Sequence, residues 1–268
     1  MYETKYHRPV SLPQAAKFAA DHGDEGKYLA GGMTLIPTMK QRLAAPEALI
    51  DLRHVPGLKG IKVEGKSIVI GGGMTHSDVA MSDEIKSVCP GFADLAGLIG
   101  DPAVRHMGTV GGSVANFDPA ADYPAALLAL GATIRTNQRE IAADDFFVGL
   151  FETALEDGEI VTKIAFEAPD ACAYEKFRNP ASRYAMCGVF VARRGGDVKV
   201  GVTGAGSEGA FHWSEAEQAL SSNFAPEAVD GLTMPQDNMM SDIHGSSAYR
   251  ANLVKVVTKR AVKKALGH

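Results

Sequence analysis

Two glycine pairs constrain this chain more than any other feature. In Tyr28-Leu29-Ala30-Gly31-Gly32-Met33-Thr34-Leu35 a strand-like run ends at a Gly pair, and a helical pattern begins just after it. In Gly108-Thr109-Val110-Gly111-Gly112-Ser113 a second pair follows a β-branched residue, with Ala115-Asn116 close behind. Removing Cβ lets backbone N–H groups converge on an anion, and a helix N-terminus adds a favourable dipole. Thr34, Thr109 and Ser113 each add a hydroxyl donor. Either pair alone is explained by turn chemistry. Two such cradles on one surface would suit the two phosphates of a pyrophosphate.

Composition narrows the setting. The chain has 268 residues, of which 46% are apolar and 22% charged, as expected of a globular protein with enough length for two cores. At about 150 residues per domain the length predicts two compact units. A net charge of −5 leaves no basic footprint for nucleic acid or an anionic membrane. Three cysteines, Cys89, Cys172 and Cys187, contain no C-x-x-C and cannot supply the four ligands of an ordinary iron–sulfur cluster. The odd count, the lack of a signal-peptide core and the lack of a long apolar run point to a cytoplasmic protein with no membrane span.

The periodicity predicts helices over Ser11–Asp21, Leu35–Leu43, Gly91–Ile99 and Ala120–Leu130, the last tolerating Pro124 only in its first turn. Strands are expected at 27–30, 48–52, 133–136 and 160–167, with a hairpin over 61–70. Gly71-Gly72-Gly73 reads as a plain turn. Near Pro169 the pattern changes: strands at 173–177, 185–192 and 198–203 precede helices at 214–220, 226–232 and 246–266. The expected class is α+β, with a mixed first unit over 1–168 (lobes about 1–57 and 58–168) and a three-strand, three-helix second unit over 169–268.

Gly204-Ala205-Gly206-Ser207-Glu208-Gly209 is a literal G-x-G-x-x-G, the sign of a Rossmann dinucleotide site. Its context is wrong. The next helix cap falls at Ser214, paired with Glu217, whereas a Rossmann helix opens inside the motif. The eight histidines show no i, i+4 pair and no ligand cluster, so no metal site is expected. No Ser-His-Asp or Cys-His arrangement stands out, and Cys187 reads as a buried strand residue.

The residues Ala30-Gly31-Gly32-Met33-Thr34-Leu35-Ile36-Pro37, together with the stretch from Thr109 to Pro124, closely resemble the two FAD motifs of the molybdenum hydroxylase flavin subunit. This is the medium subunit of the carbon monoxide dehydrogenase and xanthine dehydrogenase family. The likeness continues through Tyr174-Glu175-Lys176-Phe177, Val202 to Gly206 and Ser241 to Gly245, and so covers nearly the whole chain. It implies a vanillyl-alcohol-oxidase (PCMH)-type FAD-binding fold of two lobes. A C-terminal three-stranded antiparallel sheet with a helical bundle would follow, and FAD would lie between them.

Carried over by position, the resemblance assigns cofactor contacts to Leu29, Ala30, Gly31, Gly32, Met33, Thr34, Leu35 and Ile36, and to Thr109, Val110, Gly111, Gly112 and Ser113. Met33 stands where Thr or His is more usual. Asp122 matches an acid that accepts hydrogen bonds from the cofactor; a helix-start acid is the plain alternative. Ile99, Val161 and Lys176 fall at further contact positions. Lys176 would stabilise the anionic reduced flavin, or is simply an exposed strand lysine. Tyr184 falls over the isoalloxazine in some relatives, or is a core tyrosine.

The function implied is an FAD-carrying electron-transfer subunit of a heterotrimeric molybdenum hydroxylase. Its partners would be a molybdenum-cofactor large subunit and a [2Fe–2S] small subunit, as a dimer of heterotrimers, with no acid or base catalyst on this chain. Three rivals remain at this point: an NAD(P)-binding Rossmann reductase, a scaffold without cofactor, and a stand-alone flavin oxidase.

Overall fold

A computed structural model of the chain describes residues 2–267. The first sheet is small and parallel, with Ala48–Asp51 between Lys5–His7 and Gly26–Leu29. Parallel pairing needs a crossover, and the helix Leu12–His22 supplies it, capped by Ser11 and buried through Ala15. The second sheet is antiparallel, in the order Ile61–Glu64, Ser67–Gly71, Val161–Glu167, Thr133–Thr136, Glu140–Ala142. Ile68, Ile70, Ile134 and Ile164 project from it into a core shared with the helices Pro90–Gly97 and Tyr123–Ala129. Pro124 lies in the first turn of the latter, where its missing N–H costs nothing.

The C-terminal sheet corrects the sequence expectation of three strands. Ala171–Arg178, Ala185–Arg194 and Asp197–Thr203 are joined by a fourth strand, Phe211–His212, which pairs with Gly201 and Val202. Two residues are too few to show alternation, so the pattern gave no signal for it. The strand Ala185–Arg194 is buried through its first eight residues because both faces are covered. Ser247–Ala265 packs on it, as does Tyr123–Ala129. That helix also crosses the neighbouring strand Asp197–Thr203, where Gly201 makes room, since a Cβ there would lie 1.9 Å from the Ala125 carbonyl oxygen.

Three further expectations shift. The next helix is Ser214–Ser222 with Trp213 at its N-cap. Ser214 therefore does not cap it. Glu217 instead turns inward, accepting from the Val200 amide at 3.0 Å and meeting His212 Nδ1 at 2.6 Å. The helix expected at 226–232 is only a 3-10 turn, Pro226–Val229, so the helical layer is one long helix, one short helix and that turn. In the first unit, Val110–Asn116 is a helix that the glycine-rich sequence concealed. Among the described residues, no helix is long and apolar enough to cross a membrane.

Candidate functional site

The first glycine loop leaves the strand Gly26–Leu29 and enters the helix Leu35–Lys40. Gly32 takes φ +71, a region that suits glycine. Among the described residues, no backbone carbonyl takes the N–H of Gly31, Gly32, Met33 or Thr34. These amides are the unspent donors an anion needs.

The second loop behaves differently from the expectation. Thr109 caps the helix Val110–Asn116 by accepting from the Gly112 amide at 3.1 Å. Val110 N–H donates to the Met74 carbonyl and Gly111 N–H to the Gly72 carbonyl. The amides of Val110, Gly111 and Gly112 are therefore consumed within the protein, whereas among the described residues no acceptor takes the Thr109 amide. The loop offers a ligand that amide, the Ser113 and Thr109 hydroxyls and a close backbone approach. The two loops touch. A Cβ on Gly31 would lie 2.1 Å from the Met107 carbonyl oxygen and 2.7 Å from Gly108 Cα.

They open onto one cavity of about 790 Å³, within the roughly 300–1,000 Å³ common for ligand sites. Its wall takes in residues 29–35, Thr109, Gly111, Gly112, Ser113, Ile99, Asp122, Val161, Lys176 and Tyr184. Ile36 and Val110 are not part of it. Ile36 packs against the Leu29, Met39 and Leu49 cluster, and Val110 is wholly buried in the main core.

At one side of this cavity Asp122 and Lys176 are buried against each other. Asp122 sits at the start of the helix Tyr123–Ala129 yet makes no capping bond. Its carboxylate accepts from the Tyr174 hydroxyl at 2.5 Å and from Lys176 Nζ at 2.9 Å. Burial raises its pKa, and the Lys176 ammonium opposes that. Lys176 is no exposed strand lysine: its Nζ also donates to the Leu98 carbonyl at 3.3 Å. Tyr184 is not a core residue either, being 48% exposed at the cavity mouth, on a loop whose Arg183 has φ +64. None of residues 204–209 lines the cavity, and Gly204, at φ +77, turns the chain as it leaves its strand.

The profile of the family described as "FAD binding domain in molybdopterin dehydrogenase" matches residues 2–168. Over 97% of this chain and 96% of its own length, the carbon monoxide dehydrogenase medium chain of Afipia carboxidovorans is 35% identical. The chain belongs to the FAD-binding medium subunits of molybdenum hydroxylases. Within this family the glyceraldehyde dehydrogenase medium chain of Sulfolobus acidocaldarius is 34% identical, over 97% of this chain and 98% of its own. Among solved structures, reconstituted CO dehydrogenase from Oligotropha carboxidovorans superposes with a TM-score of 0.89, at 34% identity and 99% coverage of both chains.

The residues present fit the family's flavin. Free amides at 31–34 and hydroxyls at 109 and 113 suit the phosphates, and Gly31 lets the two loops close on each other where a Cβ would strike the Met107 carbonyl. Gly72, Gly73, His76 and Arg53 also line the cavity of this medium subunit. The sequence reading left them out. For Gly71 to Gly73 a signal was available, since a triplet is more than a turn requires. A Cβ at Gly72 would lie 2.3 Å from the Val161 carbonyl oxygen, so the triplet brings two strands and the second loop together.

Proposed function

We propose that this chain holds FAD in the cavity between its two glycine loops and the Asp122–Lys176 pair, as the electron-transfer subunit of a heterotrimeric molybdenum hydroxylase. It would connect [2Fe–2S] clusters on a small subunit to an external acceptor, while substrate is oxidised at a molybdenum cofactor on a large subunit. A dimer of such heterotrimers in the cytoplasm is the assembly this reading expects. The two lobes, about 1–57 and 58–168, would form the PCMH-type FAD-binding domain, and 169–268 the family's C-terminal domain.

One observation carries the reading: four unspent loop amides and a buried acid–lysine pair line the same cavity. The amides hold and orient the diphosphate. Lys176 places positive charge beside the ring, and Asp122 holds Lys176 in place while keeping an acceptor at the wall. Bound flavin supplies the redox chemistry, taking electrons singly and releasing them in pairs.

The test begins with the visible spectrum of the purified full chain and identification of any chromophore released on denaturation. One FAD per chain is expected, reduced by substrate only when the molybdenum and [2Fe–2S] subunits are present. A colourless protein that fails to take up FAD would remove the reading in favour of a scaffold. Reduction by substrate without partners would make it a stand-alone oxidase.

A further inference from the structure

The second glycine loop has spent the amides of Val110, Gly111 and Gly112, yet a further donor stands directly behind it. His76 opens the helix His76–Met81, which Thr75 and Asp78 close with a reciprocal capping box. Its own amide donates to the Gly108 carbonyl at 3.0 Å, fixing the ring beneath that loop. The side chain lines the cavity although the residue is only 4% exposed. Its Nδ1 lies 3.2 Å from the Tyr123 hydroxyl. Among the described residues, Nε2 has no hydrogen-bond partner.

The tautomer follows from Tyr123. That residue is fully buried, and His76 Nδ1 is the one hydrogen-bond partner of its hydroxyl among the described residues. A buried phenol must donate its proton. Nδ1 must then accept, and the ring proton of the neutral imidazole resides on Nε2. Burial, with the Arg105 charge nearby, holds the His76 pKa down to about 4, so the ring is neutral under ordinary conditions. Gly108 keeps this donor uncovered: a Cβ there would sit 2.7 Å from Nε2.

We propose that His76 is a diphosphate ligand, donating its Nε2–H to a phosphate oxygen of the cofactor in the place left by the spent amides of Val110, Gly111 and Gly112. Tyr123 is its positioning residue. Because Tyr123 follows Asp122, one short stretch of chain serves both the phosphate and the ring regions of the cavity. The inference rests on FAD being the occupant.

The test uses the full chain. Removing Nε2–H and its buried partner together, as His76→Phe/Tyr123→Phe, keeps the packing and strands no hydroxyl. A lost hydrogen bond to a charged group predicts FAD affinity about 10- to 100-fold weaker. In parallel, ¹⁵N-histidine spectra of the wild type should show a protonated Nε2 and a bare Nδ1 on His76, with the Nε2–H resonance shifting as FAD saturates. A folded double variant that keeps FAD affinity within about twofold, or an Nε2–H resonance unmoved by FAD, overturns the proposal. Wild-type protein that binds no FAD overturns the parent reading instead, so the two failures are distinguishable.

Discussion

Asp122 and Lys176 meet inside the protein, with Nζ 2.9 Å from the carboxylate and the two side chains only 5% and 2% exposed. They come from a helix start and a strand separated by 54 positions, joined because Tyr123–Ala129 lies across the C-terminal sheet. A buried pair of this kind is costly to break and cheap to replace whole, since removing one partner strands an uncompensated charge.

Lys176→Met should therefore destabilise the chain by about 3–5 kcal/mol. Adding Asp122→Asn should recover much of that loss, because the Tyr174 hydroxyl can still donate to the amide oxygen. Urea denaturation of both single variants and the double variant measures the coupling. Additive losses would show that the pair is not an energetic unit.

The glycine loops make a different prediction. Gly32→Val forces a β-branched residue to φ +71, with Ile36 and Leu29 atoms 3.0 and 3.1 Å from its Cβ. Gly112→Val drives a Cβ to 2.8 Å from Thr109 Oγ1, against the cap of its own helix. Strain of about 1–3 kcal/mol at one loop is survivable. Both variants should keep their far-UV circular dichroism and lose FAD on gel filtration. Full retention of flavin by both would sink the phosphate assignment.

Acid should act through Asp51. Burial alone would raise its carboxyl, but the Arg53 guanidinium (contacts of 2.7–3.1 Å) and the Tyr6 hydroxyl override this and bring it down to about 2. A depressed carboxyl contributes stability above its unfolded value, near 3.8, and loses it as pH falls through about 2. Wild type should lose about 2 kcal/mol over that interval. Asp51→Asn should start less stable and show a flatter profile when denaturation is followed from pH 5 to about 2.

The opposite sign belongs to His212. The Glu217 carboxylate at 2.6 Å raises its pKa against the opposing pull of burial, and Asp144 at 3.1 Å adds to the rise. Protonated His212 thus ties the C-terminal sheet to the short helix Ala143–Phe146 that carries Asp144. Its contribution is complete below the ordinary histidine value and disappears as pH rises through the elevated folded one. Thermal midpoints measured upward from pH 6 should fall in wild type and stay level in His212→Gln, if this contact is the source.

Much of the site was legible in sequence because it depends on backbone without side chains. A glycine pair between a strand and a helix announces itself wherever it occurs, and of Leu29 to Ile36 all but Ile36 lie on the cavity wall. Asp122 and Lys176 were ambiguous for a physical reason. An acid at a helix start and a lysine on a strand are ordinary surface residues until tertiary contact buries them. The spent amides of the second loop were invisible, since the carbonyls of Gly72 and Met74 that take them lie more than 30 positions earlier. His76 was hidden likewise: a lone histidine after a capping threonine gives no hint of the phenol that sets its tautomer. In the fold, alternating strands were recognised, while the two-residue strand at Phe211 and the helix at Val110 were too short or too glycine-rich to register.

Leu29 from the first sheet, Val161 from the second and Lys176 from the third all face the same cavity. An occupant of that space is a mortar course between three separately built walls. By mass action, ligand at 100 times its dissociation constant adds about 2.7 kcal/mol to the folded state. Flavin supply would then govern how long each newly made copy survives proteolysis, and a cell short of riboflavin would hold fewer of these subunits rather than a stock of empty ones.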